Sequence, residues 1–183
     1  THDQSSAASD VYKRQGRASL DDMIKVSRNA WSQNPTFKGS SLMWIEPGKP
    51  VSLADLERGV VISSGNDASV AVAEHLAGTE SSFVDVMNQL AAELGLDNTV
   101  YRNPHGLPHP EHRTTARDLA TLSVALINGH PEHYKIYKEQ SFTYNGIKQY
   151  NRNSLLRSDA TVDGLKTGYT SDCLLYTSDA ADD

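Results

Sequence analysis

The chain is poor in cysteine, in long apolar runs and in clustered basic charge. Cys173 is the only cysteine, so the sequence predicts no internal disulfide. No apolar run approaches the roughly 20 residues that a membrane-spanning helix needs. A net charge of −6 without basic runs is unlike that of a nucleic-acid-binding protein. These absences favour a globular domain without a nucleic-acid partner.

Both ends of the sequence look foreign to the rest. Residues 5–15 read SSAASDVYKRQ, and residues 173–183 read CLLYTSDAADD. One nucleotide string, read in its two orientations, encodes both stretches, and it resembles a transposon-type sequencing adapter. We therefore interpret residues 1–15 and 173–183 as adapter-like artefacts and residues 16–172 as part of a catalytic domain. On this interpretation the lone cysteine does not belong to the protein proper.

The middle of the chain has helical periodicity with recognisable caps. Ser52 followed by Asp55 predicts the start of a first helix. Two more helices are predicted on either side of Gly78. Thr115 predicts the start of a fourth helix, which ends at Asn128-Gly129. This part of the chain is therefore expected to form a helical lobe.

The remainder of the chain favours strands and loops. Residues 16–44 predict loops and short strands, and residues 162–170 predict a longer strand. Asn145-Gly146 lies between Tyr144 and Ile147 and predicts a β-hairpin. The predicted fold class is α/β of the α+β type, a helical lobe beside an antiparallel sheet, truncated at both ends.

Two short motifs carry the chemistry. Ser64-Gly65-Asn66 lies in a predicted loop between two helices, and Lys166-Thr167-Gly168 lies on the last predicted strand. A Ser-x-Asn loop can supply a proton-relaying hydroxyl and an amide that holds a substrate carbonyl. A Lys-Thr-Gly edge can supply a cation, a hydroxyl and a bare backbone to a peptide with a carboxylate. The structural alternative is a helix-capping serine in one place and a surface lysine in the other.

The chain resembles the low-molecular-mass penicillin-binding proteins, which are serine D-Ala-D-Ala carboxypeptidases. The resemblance spans roughly residues 16–170 and rests on the two motifs and on the runs NPTFKGSSLMWIEPGKPVSLADLERGVVISSGNDASVAVAEHLAG, LGLDNTVYRNPHGL, ARDLATLSVALI, YKIYKEQSFTYNGIKQYNRNSLL and VDGLKTGYT. It implies a β-lactamase/transpeptidase-like fold with no cofactor and no metal. It also implies a peptidoglycan stem pentapeptide ending in D-Ala-D-Ala as substrate, β-lactam antibiotics as ligands, and a periplasmic parent anchored to the inner membrane.

The resemblance implies roles for the motif residues. Ser64 corresponds to the serine that passes a proton toward the leaving amine, and Asn66 to the amide that holds the substrate backbone. Lys166 raises the positive potential, and Thr167 helps receive the terminal carboxylate. Gly168 lets substrate run beside the strand. We expect the Ser64 hydroxyl to lie within about one hydrogen bond or one water of the Lys166 ammonium.

Two further residues are weaker candidates for substrate binding. Arg152 lies in a segment that resembles one near the family's cleft, although a surface arginine in a turn is an equal alternative. His105 matches a family loop, and packing within that loop is its alternative role. His105, His109 and His112 with Glu111 also have a spacing that could bind zinc, which the stiff loop and the metal-free family argue against.

The nucleophile motif of the family is absent, because no Ser-x-x-Lys occurs in the chain. In the family that serine attacks the carbonyl between two D-alanines, and the lysine is its general base. Ser19 and Lys25 are six positions apart, which is the wrong spacing for one helical turn. We therefore expect no acyl-enzyme from this chain. A D,D-endopeptidase, a class A β-lactamase relative and a non-enzymatic peptidoglycan-binding relic remain alternatives.

Overall fold

The computed structural model describes residues 8–9, 12, 16–168 and 176–177, and only the backbone of the last two. Within residues 16–168 and 176–177, six helices and six short strands alternate with loops. The helices are α1 (Leu53–Val61), α2 (Asn66–Ala77), α3 (Glu80–Glu93), α4 (Ala116–Gly129), α5 (Pro131–Tyr134) and α6 (Leu155–Ser158), with 3-10 turns at Pro35–Phe37 and Lys135–Lys138. The strands are β1 (Met23–Ile24), β2 (Val51–Ser52), β3 (Ser141–Tyr144), β4 (Ile147–Tyr150), β5 (Thr167–Gly168) and β6 (Tyr176–Thr177).

The predicted helix caps are confirmed. The Ser52 hydroxyl accepts a hydrogen bond from the Asp55 amide at 3.1 Å, which begins α1. The Thr115 hydroxyl accepts one from the Asp118 amide at the same distance and begins α4. Gly78 ends α2 with a φ of 82°, a left-handed conformation that glycine adopts without the steric cost that a Cβ carries. Residues close together in the sequence therefore define these helix ends.

The centre of the helical lobe is α2, which packs between α1 and α3. Its residues from Asn66 to Ala73 are all buried. A helix that is buried on every face is expected at the core of a domain, since no side of it needs a polar stripe. The start of α2 carries the Ser-x-Asn motif, so the motif is attached to a rigid element. No helix in the part of the chain that the structure describes is both long and apolar enough to cross a membrane.

The predicted hairpin is confirmed as the antiparallel pair β3 and β4. Tyr144 pairs with Ile147, which leaves a two-residue turn. Asn145 and Gly146 both have positive φ, 50° and 76°, as a type I′ turn requires. The described residues contain three separate two-stranded antiparallel sheets, β1 with β2, β3 with β4, and β5 with β6.

The predicted strand over residues 162–170 is wrong for residues 162–166, which form no ladder. Side chains take the place of strand partners there. The Tyr134 hydroxyl donates to the Asp163 carboxylate at 2.8 Å, and the Asn153 amide donates to the Gly164 carbonyl at 3.0 Å. Only Thr167 and Gly168 are extended and paired, and the prediction for residues 169–170 lies outside the described residues. Hydrogen-bond partners far away in the sequence decided this segment, and periodicity cannot reveal them.

Candidate functional site

The Ser-x-Asn motif lies in a tight loop between α1 and α2. The Gly65 amide donates to the Gly59 carbonyl at 2.9 Å, and the Ser63 hydroxyl donates to the same carbonyl at 2.8 Å. Ser64 has a φ of 59°, which is uncommon for a residue with a Cβ. Strained backbone of this kind persists only where the surroundings hold it, and it clusters at functional sites. The hydrogen bonds of Ser63 and Gly65 therefore hold the backbone on both sides of Ser64.

Asn66 is the first residue of α2 and is only 5% exposed. Its backbone amide donates to the Ser41 carbonyl at 2.9 Å. The next residue, Asp67, accepts hydrogen bonds from the backbone amides of the chain around Met43. The segment of residues 41–45 therefore forms a wall beside the motif. The structure adds this wall to the site predicted from the sequence.

Arg152 and Asn153 connect the two motifs. The Arg152 guanidinium donates through Nε to the Ser63 carbonyl at 3.2 Å. The neighbouring Asn153 side chain donates to the Gly164 carbonyl at 3.0 Å and weakly to the Leu165 carbonyl at 3.5 Å. Adjacent residues have Cα atoms about 3.8 Å apart. One short segment thus reaches both the Ser-x-Asn loop and the residues that precede Lys166.

The Lys-Thr-Gly motif joins the loop before it to β5. Lys166 is 7% exposed, and its ammonium donates to the Thr167 carbonyl. Thr167 and Gly168 are half-buried and pair with Thr177 and Tyr176 of β6. A buried ammonium acts in a medium of low effective dielectric, where its field on an anion is stronger than in water.

The separation between the Ser64 hydroxyl and the Lys166 ammonium stays a prediction. The Arg152-Asn153 segment contacts the residue before Ser64 and the residue before Lys166, so the chain segments that carry the two motifs lie on either side of it. The motif residues and Arg152 are therefore parts of one region of the fold. Their roles toward a substrate remain hypotheses at this point.

His105 is held within its own loop. Its Nδ1 accepts a hydrogen bond from the Leu107 amide at 3.2 Å, and its ring meets the Phe37 ring edge-on at 6.1 Å. Burial lowers the pKa of His105 to about 4, and His112 adds to this shift. An Nδ1 that accepts an amide proton requires the neutral ring, in agreement with that direction. The Glu80 carboxylate lies 3.9 Å from Nε2 of His105, which is too far for a hydrogen bond that would raise the pKa again.

The other residues of the possible zinc site contact different parts of the chain. The His112 ring meets the Tyr101 ring edge-on at 5.6 Å, and Glu111 pairs with Arg102 at 3.1 Å. His109 accepts a hydrogen bond from the Glu111 amide through Nδ1. Within the described ranges, no group of three or more histidine, cysteine or acidic side chains could hold a metal ion.

A cavity of about 450 Å³ lies beside α1 and α5, and its lining contains neither motif. The buried Glu57 carboxylate forms part of its wall and lies 3.3 Å from Nδ1 of His133. The Ser9 hydroxyl donates to the same carboxylate at 2.6 Å. At the rim, Arg58 and Glu139 form an ion pair at 3.0 Å. Each of these polar groups has a partner on the protein, so hydrogen bonds and ion pairs within the chain account for their positions beside the cavity.

Comparison with known proteins assigns the chain to a family. The sequence model of the D-alanyl-D-alanine carboxypeptidase family matches residues 10–179. The chain belongs to this family. It is 51% identical over 153 residues to the D-alanyl-D-alanine carboxypeptidase DacC of Escherichia coli strain K12, and this alignment covers 82% of the chain and 38% of DacC.

Solved structures show the same family relationship. The structure matches penicillin binding protein 6B from Escherichia coli with a TM-score of 0.89 at 46% identity, over 93% of this chain and 54% of that one. It matches penicillin binding protein 5 from Haemophilus influenzae with a TM-score of 0.90 at 43% identity, over 95% of this chain and 50% of that one. The predicted family and the transpeptidase-like fold are therefore confirmed.

The chain spans about two fifths of the length of the curated relatives that it matches. The family match enters both terminal stretches that we interpret as adapter-like. The boundaries at residues 15 and 172 stay predictions.

Sequence reasoning missed Asp67, which follows the Ser-x-Asn motif directly. Its carboxylate is fully buried and accepts four backbone hydrogen bonds. Burial raises the pKa of this carboxyl, and the hydrogen bonds from the Met43, Ile45, Ala68 and Trp44 amides oppose that rise. In the sequence Asp67 is an acidic residue in the first turn of a predicted helix, which is a common position for one, so no local signal identifies it.

Proposed function

We propose that this chain forms the substrate-binding part of a serine D-Ala-D-Ala carboxypeptidase. The intact enzyme would hydrolyse the terminal D-alanine from peptidoglycan stem peptides. The observation that carries the proposal is the bridge from Arg152 to Ser63 and from Asn153 to Gly164. That bridge supports a cleft in which the Ser-x-Asn loop and the Lys-Thr-Gly strand contact the same short peptide.

Each motif residue has a proposed role in this cleft. Lys166 and Thr167 receive the terminal carboxylate, since an ammonium and a hydroxyl from one strand can both donate to it. Asn66 donates to a substrate carbonyl, and Gly168 leaves room for the peptide to run beside β5. Ser64 relays a proton toward the leaving amine.

Two weaker candidates divide into a binding role and a structural role. We assign Arg152 to the carboxylate end of the cleft, because its Nε is engaged by the Ser63 carbonyl while the side chain stays exposed. We assign His105 to packing, because its ring is buried against Phe37 and hydrogen-bonded within its own loop.

The chemical step needs a nucleophile that this chain does not contain. In the family reaction a serine oxygen attacks the carbonyl between the two D-alanines, the C–N bond breaks, and D-alanine leaves with a proton. Water then hydrolyses the resulting ester. Because no Ser-x-x-Lys occurs here, we propose that the chain is a fragment that binds the peptide and forms no acyl-enzyme.

The proposal extends to ligands and location. β-Lactams imitate the D-Ala-D-Ala end, so we propose that they enter the same cleft, and the solved relatives are named as penicillin binding proteins. We propose a periplasmic, membrane-anchored parent by analogy with the family. A net charge of −6 supports the absence of a nucleic-acid partner.

The proposed function is tested by labelling and by binding. A fluorescent penicillin should leave no covalent label on the purified chain, and a covalent band on a denaturing gel would refute the proposed inactivity.

A tripeptide that ends in D-Ala-D-Ala should bind without reaction, measured by NMR titration. Lys166→Ala should weaken this binding by roughly 10–100-fold, since a charge-assisted hydrogen bond is lost. Lys148→Ala is the matched control, because Lys148 is exposed and lies over the Tyr150 ring. Equal effects of the two variants, or no binding to the unmodified chain, would refute the proposed cleft.

A further inference from the structure

Asp67 makes an unusual set of contacts for a residue that the motif does not include. Its Oδ1 accepts hydrogen bonds from the Met43 amide at 2.8 Å and the Ala68 amide at 2.9 Å. Its Oδ2 accepts from the Trp44 amide at 2.9 Å and the Ile45 amide at 3.2 Å. Three consecutive amides of one loop therefore converge on one fully buried carboxylate.

The loop backbone is shaped to make this contact. Trp44 has a φ of 72°, which is a strained conformation for a large side chain, and the residue remains 54% exposed. Burial of the ring therefore does not account for this conformation. The left-handed turn instead directs the Trp44 and Ile45 amides toward the same oxygen. The hydrogen bonds to the Asp67 carboxylate offset the backbone strain at Trp44.

The same wall contacts the Ser-x-Asn motif from the other side. The Asn66 amide donates to the Ser41 carbonyl at 2.9 Å. A Cβ added at Gly65 would lie 3.0 Å from Oδ1 of Asp67 and 3.1 Å from the Met43 backbone nitrogen. The Met43 carbonyl accepts a hydrogen bond from the Gln149 side chain at 3.1 Å. Close contacts thus join segment 41–45 to the start of α2 and to strand β4.

We propose that Asp67 is a positioning residue for the substrate cleft, because its carboxylate holds segment 41–45 against the start of α2 and so determines where Ser64 and Asn66 meet a peptide. This inference rests on the proposed function of the cleft. A carboxylate suits the task because all four partners are donors, and it has acceptor sites only. In Asp67→Asn the oxygen could keep two of them, while the amide group would face the N–H groups of the other two.

The first experiment measures how strongly the amides of segment 41–45 and of Asn66 are protected from hydrogen exchange. This readout does not depend on peptide binding. Amide hydrogen exchange by NMR on the unmodified chain should show Met43, Trp44 and Ile45 as slow to exchange as the buried amides of α2. In Asp67→Asn these three amides and that of Asn66 should exchange at least about tenfold faster. Fast exchange of Met43, Trp44 and Ile45 in the unmodified chain would refute the proposal even if the variant does not fold.

The second experiment measures binding of the D-Ala-D-Ala tripeptide. Asp67→Asn should raise its dissociation constant on the order of tenfold or more, because small misplacements of positioning groups are costly. The matched control is Asp118→Asn. Asp118 is also a buried carboxylate in the first turn of a helix, and it accepts hydrogen bonds from the Asn98 amide and the Thr99 hydroxyl. Its loss should lower stability and leave the dissociation constant unchanged.

The outcomes separate this inference from the proposed function. Unchanged tripeptide binding by folded Asp67→Asn would overturn the positioning role, and so would equal losses of binding in the two variants. If the unmodified chain does not bind the tripeptide, the proposed function fails. The exchange rates of Asn66 and of segment 41–45 still decide whether Asp67 holds the wall against the motif.

Discussion

Gly59 offers a quantitative test of the packing beneath the Ser-x-Asn loop. A Cβ added at this position would overlap the thioether of Met43 and lie 2.9 Å from its Cγ and 3.2 Å from its Cβ. The Met43 side chain is fully buried. The Met43 backbone is held by Asp67 and Gln149, so the residue cannot move aside freely. Gly59→Ala therefore forces a close contact in a region that is fixed from several directions.

The magnitude follows from two opposing terms. Overpacking a well-packed core costs about 1–3 kcal/mol. Replacing glycine by alanine inside a helix returns about 1 kcal/mol. Gly59→Ala should thus destabilise the chain by about 0–2 kcal/mol. Gly129→Ala is the matched control, since Gly129 ends α4 and an added Cβ would meet nothing within 4 Å. That change should stabilise by up to about 1 kcal/mol.

Thermal unfolding followed by circular dichroism measures the difference. For a chain of this size, 1 kcal/mol shifts Tm by about 2–4 °C. The two alanine variants are expected to differ by up to about 12 °C, with Gly59→Ala the less stable. If Gly59→Ala melts at or above Gly129→Ala, the close contact with Met43 does not exist as described.

Two further predictions concern His105 and Arg152. Burial lowers the pKa of His105 from 6.5 to about 4, so the unfolded chain binds more protons between these values and stability should fall as pH drops through that window. Urea unfolding at pH 7 and pH 4 measures the change in the free energy of unfolding between the two pH values. In His105→Gln this change should be smaller than in the unmodified chain, by roughly 3 kcal/mol at most. An equal change in both proteins would show that the ring is not buried. Arg152→Ala should weaken tripeptide binding several-fold with little change in Tm, while Arg102→Ala, which removes an exposed pair with Glu111, should change neither. Equal binding by the two arginine variants would remove Arg152 from the cleft.

Local signals in the sequence were enough to predict much of the fold. The caps at Ser52 and Thr115 and the turn at Asn145-Gly146 each involve residues within a few positions of one another. Such interactions form in the same way in many folds, so a pattern can reveal them. The sequence also predicted that Ser64 and Gly65 lie in a loop between two helices and that Thr167 and Gly168 lie on a strand. Asn66 instead begins α2, and Lys166 precedes β5.

Long-range contacts account for what was not predicted. Residues 162–166 are predicted as part of a strand, yet Asn153 and Tyr134 take the places of strand partners. Asp67 reads as an ordinary acidic residue in the first turn of a helix until the amides of Met43, Trp44 and Ile45 are seen to converge on it. These contacts join residues between ten and thirty positions apart. No periodicity connects them.

The sequence by itself determined the family, the two motifs and the absence of Ser-x-x-Lys, because these depend on residue identity and order. Tertiary structure alone decided that Arg152 and Asn153 bind the residues just before the two motifs and that a wall at residues 41–45 stands beside Asn66. The physical reason is that a hydrogen bond depends on where two groups lie in space. For groups far apart in the chain, only the packed fold sets that distance.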